Sequence, residues 1–483
     1  MIGKKLVRIL QTLNPAAFRR LGDAVASPYF TTSPLLLKLY ALLKKEYPEF
    51  NTEKLNKEKV FKALYPGKPF SDGALRVLVR EFTKITEDFM VFESLKNDEH
   101  LRQQALLRCY ETSNLYPEFE NGTAALLAGL NQAPFRDVEY FSAAAALQTT
   151  YFFHPFTQKH TLDDGMLIQL IENVDQHYIL LKLRIASEMK NRERILSRKY
   201  DLLLMDELLN AGDAGPMQDN HSYQLYRLLL SLYGQGQNND TFFQLKSLFI
   251  KTIDHIRFFD RSMILTQLIN YAIQQLNSGI AGFSKEVFEL YSLAIAQNMV
   301  LVNGKIDAAV FQNIVLTGCM EKELVWTGKF INDYAPFLDK SIMEDCKTMT
   351  LALVCYHKKD YDGAITLIAH HHFFDLLLQM RTRVIQIKVW FEKFVQHPRH
   401  FEHLLFQLDA FEKFIRRNNV IAPLKKEENL HFLLATRQLA HFILEKKPAS
   451  VIRSRLEKYT GNGHRVVSRD WLQQQIHDYE RKS

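Results

Sequence analysis

Between Asp72 and Phe92, Leu75, Leu78, Phe82, Ile85, Phe89 and Phe92 recur at helical spacing. The intervals run three, four, three, four, three, so six side chains share one stripe over about five turns of an α-helix. A stripe of two heptads or so is too short for a dimerising coiled coil, and it is expected to face a core. No run in the chain alternates apolar and polar residues as a half-buried strand requires, and the absence of strand–helix–strand alternation removes most nucleotide-binding folds. Breakers are scarce as well. The 19 glycines and 14 prolines make up about 7% of the 483 residues, against roughly 12% in an average globular chain. With 47% apolar residues, the chain is expected to form long helices, short turns and a large core.

Helix boundaries are legible from caps. Asn14-Pro15 and Ser33-Pro34 pair an N-cap side chain with a proline that lacks the otherwise orphaned N–H. Asn56 and Ser71 or Asp72 begin two more helices. The Ser27-Pro28-Tyr29-Phe30 turn is expected to pack both aromatics inward. Residues 99–130 read as two helices broken at Leu115-Tyr116-Pro117, and residues 163–209 as almost continuous helix. From Thr241 the chain reads as helix pairs: 241–256 with 260–277, 284–298 with 306–319, 322–334 with 341–357, and 361–369 with 373–396. Further helices are expected over 400–418, 427–446 and 449–459, with a last one from Ser468. Residues 210–220 and 234–240 are the most linker-like. The expected organisation is an N-terminal helical region over 1–212, a helical-repeat region over 221–460, and a capping helix or tail over 464–483.

Residues 351–368 are the most legible pair. Leu351-Ala352, Tyr361 and Ala364 put small residues where two helices cross and larger ones in the groove between them. This segment resembles the tetratricopeptide repeat, although Thr348, Cys355, His371 and Leu376 stand where that repeat has Trp, Tyr, Ala and Pro. A second copy is expected about 36 residues earlier, with Cys319, Val325 and Gly328 matching Cys355, Tyr361 and Ala364. The Ser27–Phe30 turn, together with Lys182-Leu183-Arg184 and Asn191-Arg192, also resembles a group of uncharacterised bacterial helical-repeat proteins. Both resemblances imply an all-α fold, a right-handed α-solenoid of antiparallel helix pairs. Neither brings an activity with it.

Chemistry-bearing motifs are few. His370-His371-His372 diverge on a helix, and His400 and His403 can share a face while Pro398 sets His397 apart; no HExxH carboxylate accompanies them. Surface or N-terminal-turn histidines are therefore the expectation for His370–His372 and for His397, His400 and His403. Asp163-Asp164 reads as a helix cap. Gly67-Lys68 lacks the rest of a P-loop, and Gly461-Asn462-Gly463 the rest of a dinucleotide fingerprint. Cys109, Cys319, Cys346 and Cys355 form no CxxC pair, which fits buried free thiols in a reducing compartment. Lys4, Lys5 and Arg8 interrupt any signal-peptide core, and no apolar run reaches the ~18 residues of a membrane span. A cytoplasmic protein without a membrane span follows as an expectation.

No catalytic, cofactor-binding or metal-binding residue set emerges, and no cofactor is expected. The leading expectation is a non-enzymatic scaffold that binds a partner protein or peptide on a helical-repeat surface. The net charge of +7 keeps a nucleic-acid-associated helical protein as the alternative.

Overall fold

The computed structural model describes residues 2–51, 53–160, 164–196, 199–234, 239–460 and 466–481. These residues form 24 α-helices and no named strand. The chain divides into two compact units, residues 1–181 and 182–483.

The first unit contains α1 (Lys4–Thr12), α2 (Pro15–Ala26), α3 (Pro34–Lys44), α4 (Lys57–Leu64), α5 (Asp72–Asn97), α6 (Glu99–Thr112), α7 (Tyr116–Gln132), α8 (Val138–Phe152), α9 (Pro155–His160) and the start of α10 (Gly165–Leu196). Helix α5 is its axis, because α1, α2, α3 and α4 all pack on it. The expected stripe is buried at Leu75, Leu78, Phe82, Ile85 and Phe89, against Leu6, Leu10, Phe18, Leu39 and Phe61. Its last member departs: Phe92 is exposed and meets the edges of Tyr29 and Phe30. Tyr29 departs too, being 80% exposed, because the Ser27–Phe30 turn lies at the rim where only Phe30 finds the core. Asn14 accepts from the Ala17 N–H at 2.8 Å, Asn56 from Glu58 at 2.9 Å and Ser71 from Ala74 at 3.3 Å. Ser33 makes no side-chain cap, so Pro34 alone marks that start.

The second unit continues α10 and adds α11 (Met205–Ala214), α12 (His221–Leu232), α13 (Asn239–Thr252), α14 (Phe258–Asn277), α15 (Phe283–Ala296), α16 (Ala308–Met320), α17 (Leu324–Tyr334), α18 (Met343–His357), α19 (Tyr361–Ala369), α20 (Leu376–Gln396), α21 (Phe401–Arg417), α22 (Pro423–Leu444), α23 (Ala449–Thr460) and α24 (Arg469–Glu480). Helix α12 packs on α13, each helix from α14 to α24 packs on the next, and α16 also meets α18, α18 meets α20, and α22 meets α24. The expected continuous helix over 163–209 is interrupted instead: α10 ends at Leu196, and α11 starts after Leu204, which sits in the left-handed region at φ 58°. Residues 210–214, linker-like in composition, are the last turn of α11. Of the linker-like 234–240 stretch, residues 235–238 lie outside the described residues, as does the glycine pair at 461–463.

At the α18–α19 crossing, Ala352 and Ala364 are fully buried, as the spacing predicts. The Asp360 carboxylate accepts from the Gly363 N–H at 2.9 Å and opens α19. The second copy differs. Val325 is 86% exposed and a Cβ at Gly328 would meet only open space. The close approach between α16 and α17 falls at Gly318 instead, where a Cβ would run into Thr327 Oγ1. No described helix is long and apolar enough to cross a membrane.

Candidate functional site

Helix α5 has a second face. Asp72, Arg76, Arg80 and Lys84 follow one another at intervals of four, so they form a polar row beside the buried stripe. This row, with Lys4 and Lys5 of α1 and Lys57 of α4, rims a groove of about 620 Å³. Its lining includes Leu6, Leu75 and Val79, which belong to the unit's core. Gly3 is needed here: a Cβ on it would lie 2.6 Å from Val79 Cγ1. The Ile2 N–H donates to the Leu55 carbonyl at 3.0 Å and ties this edge down.

The rim holds six basic side chains against Asp72 and Glu87. Lys57 Nζ lies 2.8 Å from Asp72 Oδ1, Arg76 Nη2 2.6 Å from Asp72 Oδ2, and Lys5 Nζ 2.5 Å from Glu87 Oε1. The hydrogen bond from Lys57, with Arg76 alongside, holds the Asp72 carboxyl below its ordinary range. Lys4, Arg80 and Lys84 have no ion pair among the described residues. The groove therefore presents uncompensated positive charge around an apolar floor. In the sequence, Lys4 and Lys5 stand out only as obstacles to a signal peptide. The i, i+4, i+8 spacing of Arg76, Arg80 and Lys84 is the sequence signal that marks the rim.

The histidine sets fall elsewhere and do not converge. His371 Nε2 lies 2.7 Å from Asp345 Oδ1, while Asp345 Oδ2 accepts from the Phe374 and Asp375 N–H groups at 2.7 and 3.0 Å. Burial pushes the Asp345 carboxyl up, but these hydrogen bonds together outweigh it and hold the carboxyl below its ordinary value. His370 Nδ1 faces the Thr366 carbonyl, and His372 meets the edge of Phe374. His397, His400 and His403 form a chain of rings, with His400 and His403 against Trp390. None of these histidines belongs to a group of three potential ligand atoms within 4.8 Å of one another among the described residues. Burial pushes the Cys319 thiol up to about 12 and the Cys346 thiol up to about 11, away from the thiolate that a nucleophile or ligand needs.

A second polar cluster fastens α24. Trp471 Nε1 donates to Tyr356 Oη at 2.8 Å, and Gln475 Nε2 donates to Glu392 Oε1 at 2.8 Å. Lys388 Nζ lies 5.5 Å from the centre of the Trp471 ring. Burial lowers the Lys388 amine to about 8, with Asp470 and Glu392 pulling partly back. Burial likewise lowers His357 to about 4, helped by Lys388. No protein-family model matches the chain, and neither a curated protein nor a solved structure matches it.

Proposed function

We propose that the chain is a non-enzymatic interaction scaffold whose α1–α4–α5 groove holds an acidic, partly apolar peptide segment of a partner protein. One observation carries this reading: an excess of basic side chains, three of them without an ion pair, rims an apolar floor. Carboxylates of a peptide would meet Lys4, Arg80 and Lys84, while its apolar side chains would displace water from Leu6, Leu75 and Val79. In the second unit, the packing of α12 on α13 and of each helix from α14 to α24 on the next, with α16 also meeting α18 and α18 meeting α20, supports a solenoid of antiparallel helix pairs.

The alternative, nucleic-acid binding, is favoured by the same Arg76–Arg80–Lys84 row, since phosphates suit such a line of cations. The test is a fluorescence-anisotropy titration of the full chain with two probes: an amphipathic Glu/Leu peptide and a single-stranded oligonucleotide. Saturable peptide binding, lost at least about tenfold in the R76E/R80E/K84E variant, supports the peptide reading. Oligonucleotide binding with a steep salt slope and no peptide binding moves the conclusion to the alternative. No binding of either probe refutes both.

A further inference from the structure

Helix α21 ends at an open pocket of about 540 Å³, lined by Ala410, Lys413, Phe414, Arg417, Asn418 and Asn419. Ala410, Lys413, Phe414 and Arg417 recur at intervals of three, one and three, so they share one face of the helix. Among the described residues, no carboxylate lines the pocket. Asp409 and Glu412, the acids nearest in the helix, are engaged elsewhere: Asp409 accepts from Arg437 at 2.7 Å, and Glu412 accepts from Arg416 at 2.9 Å. The polar lining is left with donors. Lys413, Arg417 and Asn419 make no ion pair or hydrogen bond among the described residues. Asn418 Oδ1 accepts from the Val420 N–H at 3.0 Å, which leaves its amide N–H groups to donate.

A third cation comes from the neighbouring helix. The Arg383 guanidinium carbon lies 4.5 Å from the centre of the Phe414 ring, the ring that lines the pocket. Arg383 is half-buried inside α20 and makes no ion pair or hydrogen bond among the described residues. Burial lowers its proton affinity, and no carboxylate opposes the effect. A helix C-terminus favours basic residues in its last turn, which accounts for Arg416 and Arg417. It does not account for Arg383. A guanidinium drawn partly out of water carries five N–H donors, and a cation so placed is ordinarily paired. Lying on a ring face compensates part of its charge and none of its donors.

A phosphate monoester supplies what this set lacks. Near neutral pH it carries a charge of about −1.5 to −2 and three acceptor oxygens, whereas a carboxylate brings one charge and two oxygens. An arginine fork grips phosphate through two parallel hydrogen bonds. The pocket exceeds the needs of a phosphate alone and falls in the size range of small-molecule sites, with Ala410 and Phe414 as apolar surface for the remainder. We infer that the end of α21 binds a small organic phosphate, its phosphate held by Arg383, Lys413 and Arg417 and its apolar part resting on Phe414 and Ala410.

The test is a calorimetric titration of the full chain with phenyl phosphate, beside phenol, inorganic phosphate and a single-stranded oligonucleotide. Phenyl phosphate is expected to bind one per chain with a Kd of about 1 mM or tighter, and phenol and inorganic phosphate more weakly. R383M keeps an unbranched stem on Phe414 and is expected to weaken phenyl phosphate at least about tenfold. K413E/R417E alters only exposed positions, with folding checked by circular dichroism, and the same loss is expected. R76E/R80E/K84E is expected to leave this binding unchanged, which separates the site from the groove at α1, α4 and α5. No phenyl phosphate binding at about 10 mM overturns the inference. So does binding that survives both R383M and K413E/R417E, or phenol bound as tightly as its phosphate. Oligonucleotide binding that K413E/R417E abolishes, without phenyl phosphate binding, assigns the face to nucleic acid and overturns it as well.

Discussion

Replacing Lys388 with Met removes an ammonium while keeping an unbranched stem of similar reach. The amine ordinarily titrates at 10.5 and is held near 8 in the fold. Each tenfold change in proton affinity is worth about 1.4 kcal/mol, so the protonated side chain costs at most about 3.5 kcal/mol more in the fold than in the unfolded chain. The sign follows from the neutral form being the one the fold prefers. Above pH 10.5 the amine is neutral in both states and the cost is absent. Between 10.5 and 8 the unfolded chain binds the proton first, so stability falls as pH falls, and below 8 the full cost is present. K388M is therefore expected to be more stable than the unaltered chain by about 1–3 kcal/mol at pH 7, with the gain fading towards pH 10.5. All three tryptophans, Trp326, Trp390 and Trp471, lie in the second unit, so tryptophan fluorescence during urea unfolding reads the unit that contains Lys388. Other groups titrate alike in both proteins, and the difference between the two curves isolates Lys388. A difference that stays constant from pH 7 to 10.5 refutes the reasoning, as does an Nζ resonance of reductively methylated protein that titrates near 10.5.

Three further predictions concern the second unit. His357 sits beside Lys388 and is held near 4, so stability is expected to fall as pH drops from 6.5 to 4; in H357L that acid-side slope is expected to shrink on urea unfolding, and an unchanged slope counts against a buried neutral imidazole. Asp345→Ala strands two backbone N–H groups and is expected to cost about 2–4 kcal/mol, with hydrogen exchange accelerating at Phe374 and Asp375; protected amides there would sink the clamp. Ala364→Phe overpacks the α18–α19 crossing and is expected to cost about 1–3 kcal/mol by thermal unfolding, and an unshifted transition would mean that the crossing is not tight.

The all-α character was legible because helix formation is a local matter here. Periodicity, caps and scarce breakers placed the helices after residue 241 within a few residues of their observed bounds, from α13 to α24. What sequence could not supply was the direction in which a small residue points. Gly328 has the spacing of a repeat and faces open space, whereas Gly318 makes the close contact because it is the residue α16 turns towards Thr327. The basic groove was hidden differently. Its cations come from three helices, Lys4 and Lys5 on α1, Lys57 on α4 and the Arg76 row on α5, and only the last has an internal spacing to read.

The segment Lys182–Arg184 raises a question that apolar packing does not answer. Arg184 Nη2 lies 2.9 Å from Asp260 Oδ2, its Nε donates to Tyr226 Oη at 3.2 Å, and Tyr226 donates to Asp260 Oδ1 at 2.5 Å. Asp260 is almost wholly buried. Burial, then the nearby carboxylate, raises the Tyr226 hydroxyl, so it stays a donor. Withdrawing two charges from water costs about as much as their attraction returns, and such a trio contributes little net stability. What it contributes is discrimination. Leucines on neighbouring helices can slide by a turn and still find apolar partners, particularly in a chain whose helix pairs follow no strict repeat. Asp260 has no such freedom, because moving it one turn away from Arg184 and Tyr226 leaves a buried carboxylate with those partners withdrawn, at a cost of about 3–5 kcal/mol. The polar trio therefore sets the register between the turns of α10, α12 and α14 that carry it, while the surrounding apolar layers supply the stability.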